Sequence, residues 1–263
     1  MNKTSRRKFL KSIAYGIGVV AVAVSGIIPV IKGWTKKMRP PGALVEQEFL
    51  ASCIKCGQCV QVCPVNAIKL ADIDDGFGVG TPFIESREQA CDFSCDALQC
   101  VLACPTGALT HHLNFPHEVK MAKAEVVNPK ICLAAQGKGF KGVTRGSEFD
   151  GKLRYNEIDR WNPIAVNTYK YDLEICDLCV RQCPIEIRIQ QCENGTPPSG
   201  DPQQCPPIHA IRLIEIGNSD NGNKYLPEIL EGCVGCGVCE MVCPTEPSVI
   251  DMSGLIGSGR EML

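Results

Sequence analysis

The sequence predicts an α+β protein of two similar modules in tandem, preceded by a separate leader. Three observations predict it. Four cysteine motifs, closed by Cys63-Pro64, Cys104-Pro105, Cys183-Pro184 and Cys243-Pro244, fall into an N-terminal and a C-terminal pair. The 263 residues include 18 cysteines, 25 glycines and 18 prolines but only 6% aromatics, a composition of short loops around bound groups rather than of a large apolar core. The stretches between motifs are short connectors, with strands expected at residues 67–70, 108–110 and 211–214 from their β-branched content and position. We divide the chain into a leader at 1–38, a first module at 39–128 and a second at 129–263, with insertions at about 137–172 and 192–205.

The near-neutral net charge of -2 conceals a split. Nine basic residues and no acidic ones occur up to Arg39, which leaves 18 basic against 29 acidic in the remaining 224 residues. An acidic body excludes nucleic acid as partner, because phosphate contacts need clusters of Lys and Arg. The basic leader reads as targeting rather than structure.

Ser5-Arg6-Arg7-Lys8-Phe9-Leu10-Lys11 is a twin-arginine signal, an address for export to the bacterial periplasm. That route carries proteins already folded around a cofactor. Residues 12–31 carry no charge, and Lys32, Lys36, Lys37 and Arg39 follow. Twenty such residues would span roughly 30 Å as a helix, enough for a bilayer. Ala21-Val22-Ala23 imitates a cleavage site but lies inside the apolar stretch. We expect an uncleaved or slowly cleaved leader that tethers the protein to the inner membrane.

Cysteine spacing carries most of the chemistry. Cys53, Cys56, Cys59 and Cys63-Pro64 form C-x2-C-x2-C-x3-C-P, the bacterial ferredoxin run for a [4Fe–4S] cluster, and Cys233, Cys236, Cys239 and Cys243-Pro244 repeat it. Cys91, Cys95, Cys100 and Cys104-Pro105 form a looser version, and Cys176, Cys179 and Cys183-Pro184 give the last three members. Two-residue gaps let a tight loop wrap three thiolates around one cubane while its N–H groups point inward at the cluster's negative charge. Gly57 and Gly237 supply the backbone freedom for that loop. The final cysteine of each motif is carried to the other cluster of the pair, and the proline after it breaks or redirects the helical turn.

This crossing rule yields four sets. Cys53, Cys56, Cys59 and Cys104 form the first, and Cys91, Cys95, Cys100 and Cys63 the second. Cys233, Cys236, Cys239 and Cys183 form another, which leaves Cys176, Cys179 and Cys243 one ligand short, with Leu173 where the standard run would place it. Cys132 is the natural candidate, although 43 residues separate it from Cys176. Cys192 and Cys205 flank the turn-rich residues 193–202, where neither strand nor helix is expected. They form a disulfide closing that loop, or remain free thiols, or supply the missing ligand in place of Cys132. Structural zinc uses C-x2-C pairs lying farther apart, and C-x2-C disulfides would close strained small loops. Iron ligation is the reading that the spacing supports.

On these residues the sequence resembles the ferredoxin-type subunits of periplasmic nitrate reductase and methylamine utilisation systems, the NapG/MauM family. The resemblance runs from Arg39-Pro40-Pro41-Gly42-Ala43-Leu44 through Ile54 to Pro64, Gly80-Thr81-Pro82-Phe83, and the motif from Cys91 to Cys104. It continues in Cys176-Asp177-Leu178-Cys179 and Gly235-Cys236-Gly237. It implies four [4Fe–4S] clusters, twin-arginine export and a polytopic membrane partner that oxidises quinol. It also implies that Cys132-Leu133-Ala134-Ala135-Gln136-Gly137 opens the third motif. The chain departs from the family in the insertion that follows, to about Leu173, and in the loop from Cys192 to Cys205.

The expected function is electron transfer without substrate chemistry of its own, from a quinol-oxidising membrane subunit to a periplasmic reductase or cytochrome. Two other classes compete: an iron–sulfur subunit bound directly to a large molybdopterin- or sulfite-type catalytic chain, and a cofactor assembly or maturation factor. Tyr155, Trp161, Tyr169 and Tyr171 in the first insertion suggest a solvent shield over the third-motif cluster, or a docking site. Gly137 to Gly142 matches G-x-G-x-x-G, but no strand leads in and no helix pattern follows, which excludes a dinucleotide site. No C-x-x-C-H site accompanies His111, His112, His117 or His209, so these are surface or packing residues. Asp74-Asp75 lies in a glycine-rich turn and reads as solvated.

Overall fold

A computed structural model of the chain describes residues 11–20, 37–73, 78–95, 98–153, 163–219 and 222–255. Arg6, Arg7, Asp74, Asp75, Tyr155 and Trp161 lie outside the described residues. Residues 11–20 are helical and exposed. Among the described residues no helix is long and apolar enough to cross a membrane. The Gly80 N–H donates to the Ala71 carbonyl at 2.7 Å and the Ala71 N–H to the Thr81 carbonyl at 2.9 Å.

The remainder, from residue 37 onward, is organised by a repeated local device. Each Cys-Pro is preceded by a four-residue helix: Gln58–Gln61, Gln99–Leu102, Leu178–Arg181 and Val238–Met241. The second residue of each helix is the motif's third cysteine, or its equivalent: Cys59, Cys100, Cys179 and Cys239. Each helix stops two residues short of its Cys-Pro, because proline disfavours the α region for the residue before it. Cys183 is accordingly extended, with φ -64° and ψ 119°. The turn into these helices is left-handed at Gly57, Gly237 and Leu98. For Leu98 that conformation costs roughly 1–2 kcal/mol. Complete burial of its side chain offsets this.

Ten strands form five antiparallel pairs among the described residues. β1 (Ile68–Leu70) pairs with β2 (Pro82–Ile84), and β3 (Ala122–Val126) with β10 (Ile250–Leu255). β4 (Phe140–Val143) pairs with β7 (Lys170–Leu173), and β5 (Lys152–Leu153) with β6 (Ile164–Ala165). The longest pair joins β8 (Ile211–Ser219) to β9 (Gly222–Ile229). A single buried cluster runs from Met38 to Met252, centred on Phe49, Phe93, Leu98, Leu109, Leu178, Ile185, Met241 and Ile250.

Four details differ from the sequence reading. Residues 108–110 contribute only an isolated bridge, Leu109 to Ala43, because no longer partner runs beside them. The strand expected at 211–214 is the start of one more than twice as long. β3 lies before the boundary placed at 128/129, yet its partner is β10 near the end of the chain. Pro184 ends one helix and opens another, Pro184–Glu193, with Cys183 as its N-cap. A proline is tolerated at the first helical position, where its missing N–H has no partner to lose. Ile185, Arg188 and Ile189, three and four residues apart, form the buried face of that helix.

Candidate metal centres

Three cavities among the described residues bring together cysteines from different motifs. Cys53, Cys56, Cys59 and Cys104 line one cavity with about 350 Å³ of open space, alongside Phe49 and Leu109. Cys91 has Cys95, Cys63 and Cys100 as its thiol neighbours. Cys183, Cys233, Cys236 and Cys239 line a cavity of about 350 Å³. Cys132, Cys176, Cys179 and Cys243 line another of about 400 Å³, with Cys239 also on its wall. Each Cys-Pro cysteine has therefore left its own loop for the neighbouring set.

Cys132 reaches Cys176 because the intervening chain is looped out. β4 and β7 run antiparallel, so their ends bring residue 138 beside residue 176, and the Cys176 N–H donates to the Lys138 carbonyl at 3.2 Å. Two short 3-10 turns, Pro129–Ile131 and Ala134–Gln136, hold Cys132 between them. The far part of the insertion packs against the segment before Cys91. Gln89 exchanges hydrogen bonds with the backbone of Lys152 at 2.7 and 2.8 Å, and Arg145 donates to the Arg87 carbonyl. Tyr171 accepts from Gln182 at 3.0 Å, and its ring lies tilted against those of Phe140 and Tyr169.

Cys192 and Cys205 are joined to each other by a disulfide, which removes both from the candidate ligands. The buried Arg188 guanidinium, one turn before Cys192, donates to Gln204 Oε1 at 3.0 Å and to the Phe93 carbonyl at 2.7 Å. The glycine run at 137–142 passes from a 3-10 turn into β4, with no helix after it. No histidine lines the three cavities. His111 meets the Cys104 carbonyl at 3.0 Å, His209 pairs with Glu186 at 2.7 Å, His117 stacks on Phe115, and His112 is exposed.

The electrostatics favour a cationic guest. Burial, together with neighbouring thiols, pushes Cys59 up to about 11 and Cys176 up to about 12. Burial pushes Cys183 up to about 12 and holds Cys91, Cys236 and Cys239 well above the ordinary thiol value. Thiolates crowded in low dielectric repel one another, so either protons or metal must neutralise them. Cys104 shifts the other way. Burial raises it, but the Leu109 and Thr106 N–H groups and the Thr106 hydroxyl together outweigh burial and leave it below the ordinary value.

Among the described residues no three or more His, Cys, Asp or Glu side chains converge on a site for a single ion. The thiols ring open space instead, as a cubane requires when each of its irons takes one thiolate. Donors from the protein also point at the sulfurs. The N–H groups of Ala67, Leu109 and Val249 approach Cys63, Cys104 and Cys243 Sγ at 3.2, 3.4 and 3.5 Å. The Thr106 hydroxyl lies 3.8 Å from Cys104 Sγ, and the Thr245 hydroxyl, 3.2 Å from Cys243 Sγ, donates its proton to the Pro247 carbonyl at 2.9 Å. Lys120 Nζ donates to the carbonyls of Glu231 and Cys233 at 2.8 and 2.9 Å, placing a cation beside that set. The sequence reading missed Thr106 and Thr245, although Cys-Pro-Thr occurs at both places. Lys120, Arg87 and Arg188 carry no motif and emerge only in three dimensions.

Residues 52–135 match the 4Fe-4S dicluster domain, and residues 230–246 match the 4Fe-4S binding domain. With the cysteine geometry, these define a [4Fe–4S] protein of the ferredoxin type, with mixed helix and strand. The chain is 29% identical to the ferredoxin-type protein NapG of Escherichia coli (strain K12), over 94% of this chain and 85% of that protein. It is 29% identical to the methylamine utilization ferredoxin-type protein MauM of Paracoccus denitrificans (strain Pd 1222), over 98% of this chain and 93% of that one. It is 31% identical to MauM of Methylophilus methylotrophus, over 81% and 69%. The chain belongs to the NapG/MauM family of ferredoxin-type proteins, whose class of chemistry is iron–sulfur electron transfer. No solved structure matches it.

Proposed function

We propose that the chain is a periplasmic electron-transfer subunit holding four [4Fe–4S] clusters, which takes electrons from a quinol-oxidising polytopic membrane partner and passes them to a periplasmic reductase or cytochrome. One observation carries this reading: in each of three cavities the Cys-Pro cysteine of one motif stands with the cysteines of another. The ligands would be Cys53, Cys56, Cys59 and Cys104; Cys63, Cys91, Cys95 and Cys100; Cys183, Cys233, Cys236 and Cys239; and Cys132, Cys176, Cys179 and Cys243. Such clusters, when bound, exchange single electrons without making or breaking bonds to substrate. The chain's residues contribute the thiolates, N–H donors that stabilise negative charge at sulfur, and apolar walls such as Phe49 and Leu178 that limit water.

Location and partners rest on sequence features. The twin-arginine stretch Ser5 to Lys11 suits export of a protein folded around its clusters. The Cys192–Cys205 disulfide suits an oxidising compartment. The leader would hold the protein at the inner membrane. The test is to supply a reduced quinol analogue to membranes containing the chain and its native partners. Bleaching of the cluster absorbance, lost when the membrane partner is deleted, is the expected result. Intact clusters that quinol never reduces would contradict the proposed donor.

A further inference from the structure

The four cysteine sets are not equally placed with respect to one another, and one contact stands apart. The Cys91 N–H donates to the Cys236 carbonyl at 3.3 Å. These residues belong to different sets and to different motif pairs. Both are buried. The surrounding contacts fix the same junction. Ser86 Oγ donates to Glu240 Oε2 at 2.5 Å, and the Ala90 N–H approaches Met241 Sδ at 3.2 Å, so the segment entering Cys91 lies along the helix that carries Cys239. Arg87 extends the seam, donating to the carbonyls of Cys243 and Thr245 at 3.0 and 2.6 Å. From the other side Arg188, on the helix capped by Cys183, holds the Phe93 carbonyl between Cys91 and Cys95.

Within each pair the approach uses different residues. Cys100 has Cys59 among its thiol neighbours, and Cys239 borders both the cavity of its own set and that of Cys132, Cys176, Cys179 and Cys243. Electron tunnelling weakens exponentially with separation, so the shortest bonded route between ligands decides where an electron crosses.

Resting on the four-cluster reading above, we propose that electrons cross between the two motif pairs at the Cys91–Cys236 hydrogen bond. The four sets then work in one linear order. The Cys53 set comes first, followed by the Cys91 set, the Cys236 set and finally the Cys132 set. The outer two are the points of entry and exit, which agrees with Cys56 being the exposed member of the sixteen. Each step moves one electron from a reduced site to its oxidised neighbour, with no bond formed or broken and no proton released. The electron enters from a one-electron donor at one end and leaves to an acceptor at the other.

The order is testable by deleting one set at a time in the full chain: Cys56→Ser and Cys179→Ser for the outer sets, Cys95→Ser and Cys236→Ser for the inner. Iron and acid-labile sulfide are counted first. A wild type well below about sixteen irons would overturn the four-cluster reading itself, independently of the order. With four clusters present, the proteins are fully reduced with dithionite and their paramagnetic signals compared. Loss of an inner set should leave one of the three remaining spins magnetically isolated, with a sharp uncoupled signal. Loss of an outer set should leave all three coupled. An isolated spin in Cys56→Ser or Cys179→Ser, or in none of the four, would overturn the proposed crossing. Should Cys236→Ser fail to fold, Cys233→Ser removes the same set from a less buried position.

Discussion

Cys56 and Cys236 hold the same place in the same C-x2-C-x2-C-x3-C-P run, and each is followed by a left-handed glycine that opens a four-residue helix. Their surroundings differ. A Cβ on Gly57 would meet nothing within 4 Å, whereas one on Gly237 would come 2.3 Å from Ser86 Cβ. Cys56 is exposed and Cys236 is buried under the segment that leads to Cys91. Ligand geometry is therefore written locally, while exposure is decided by what packs on the loop from elsewhere. One copy of the motif is left open to solvent, where a partner has access. The other is enclosed within the chain.

This difference can be broken or sharpened experimentally, and the largest effect should come from the ligands themselves. Cys56→Ser and Cys236→Ser should each remove about four irons. Only Cys236→Ser should also lower the thermal midpoint steeply, because it leaves a buried polar group and three partly or fully buried thiols without their metal, at about 1–3 kcal/mol for the unsatisfied group alone. Equal melting temperatures would remove the distinction. The glycines come next. Gly57→Ala should cost roughly 1–2 kcal/mol from its positive φ alone. Gly237→Ala should cost visibly more in denaturant titrations of the loaded protein, since Ser86 must also move.

Smaller shifts should appear at the sulfurs. The Thr245 hydroxyl gives its one proton to the Pro247 carbonyl at 2.9 Å, whereas the Thr106 hydroxyl is among the groups that hold Cys104 below the ordinary thiol value. Thr106→Val should therefore lower the potential of its site by more than Thr245→Val lowers its own. A lost hydrogen bond of about 1 kcal/mol corresponds to a shift on the order of tens of mV, readable in a potentiometric titration. The smallest effect concerns pH. The Glu186 carboxylate hydrogen-bonded to His209 raises its pKa. The pair's stabilisation is complete below the ordinary histidine value and fades as pH rises through the raised one. His209→Gln should flatten that slope in melting curves taken across this window, and leave iron content unchanged.

Much of the site was legible because a cubane's demands are local. The spacing of Cys53 to Cys63 and of Cys233 to Cys243 carries its own geometry, and the Cys-Pro crossing pairs Cys63 with Cys91 without any tertiary information. Cys132 was legible only as a candidate, since it depends on β4 and β7 bringing distant residues together. The short helices were implied by the motifs, but Pro184–Glu193 was not. Its buried face of Ile185, Arg188 and Ile189 includes a charge, and that charge is satisfied by Gln204 and the Phe93 carbonyl far away in sequence. The insertion read as a cover for one cluster also braces Arg87 and Gln89, through backbone contacts that no residue pattern announces. Pairing of β3 with β10 was hidden for the same reason, because strands do not name their partners.

The central claim is that four sets of four thiols each hold a [4Fe–4S] cluster, with Cys132 completing the set whose other members lie beyond a long insertion. Iron and acid-labile sulfide per chain, measured on anaerobically purified wild type beside Cys132→Ser, test it most directly. The account predicts about sixteen irons in the wild type and about twelve or thirteen in the variant. About sixteen in both would contradict the assignment of Cys132, and about twelve in the wild type would contradict the four-cluster chain.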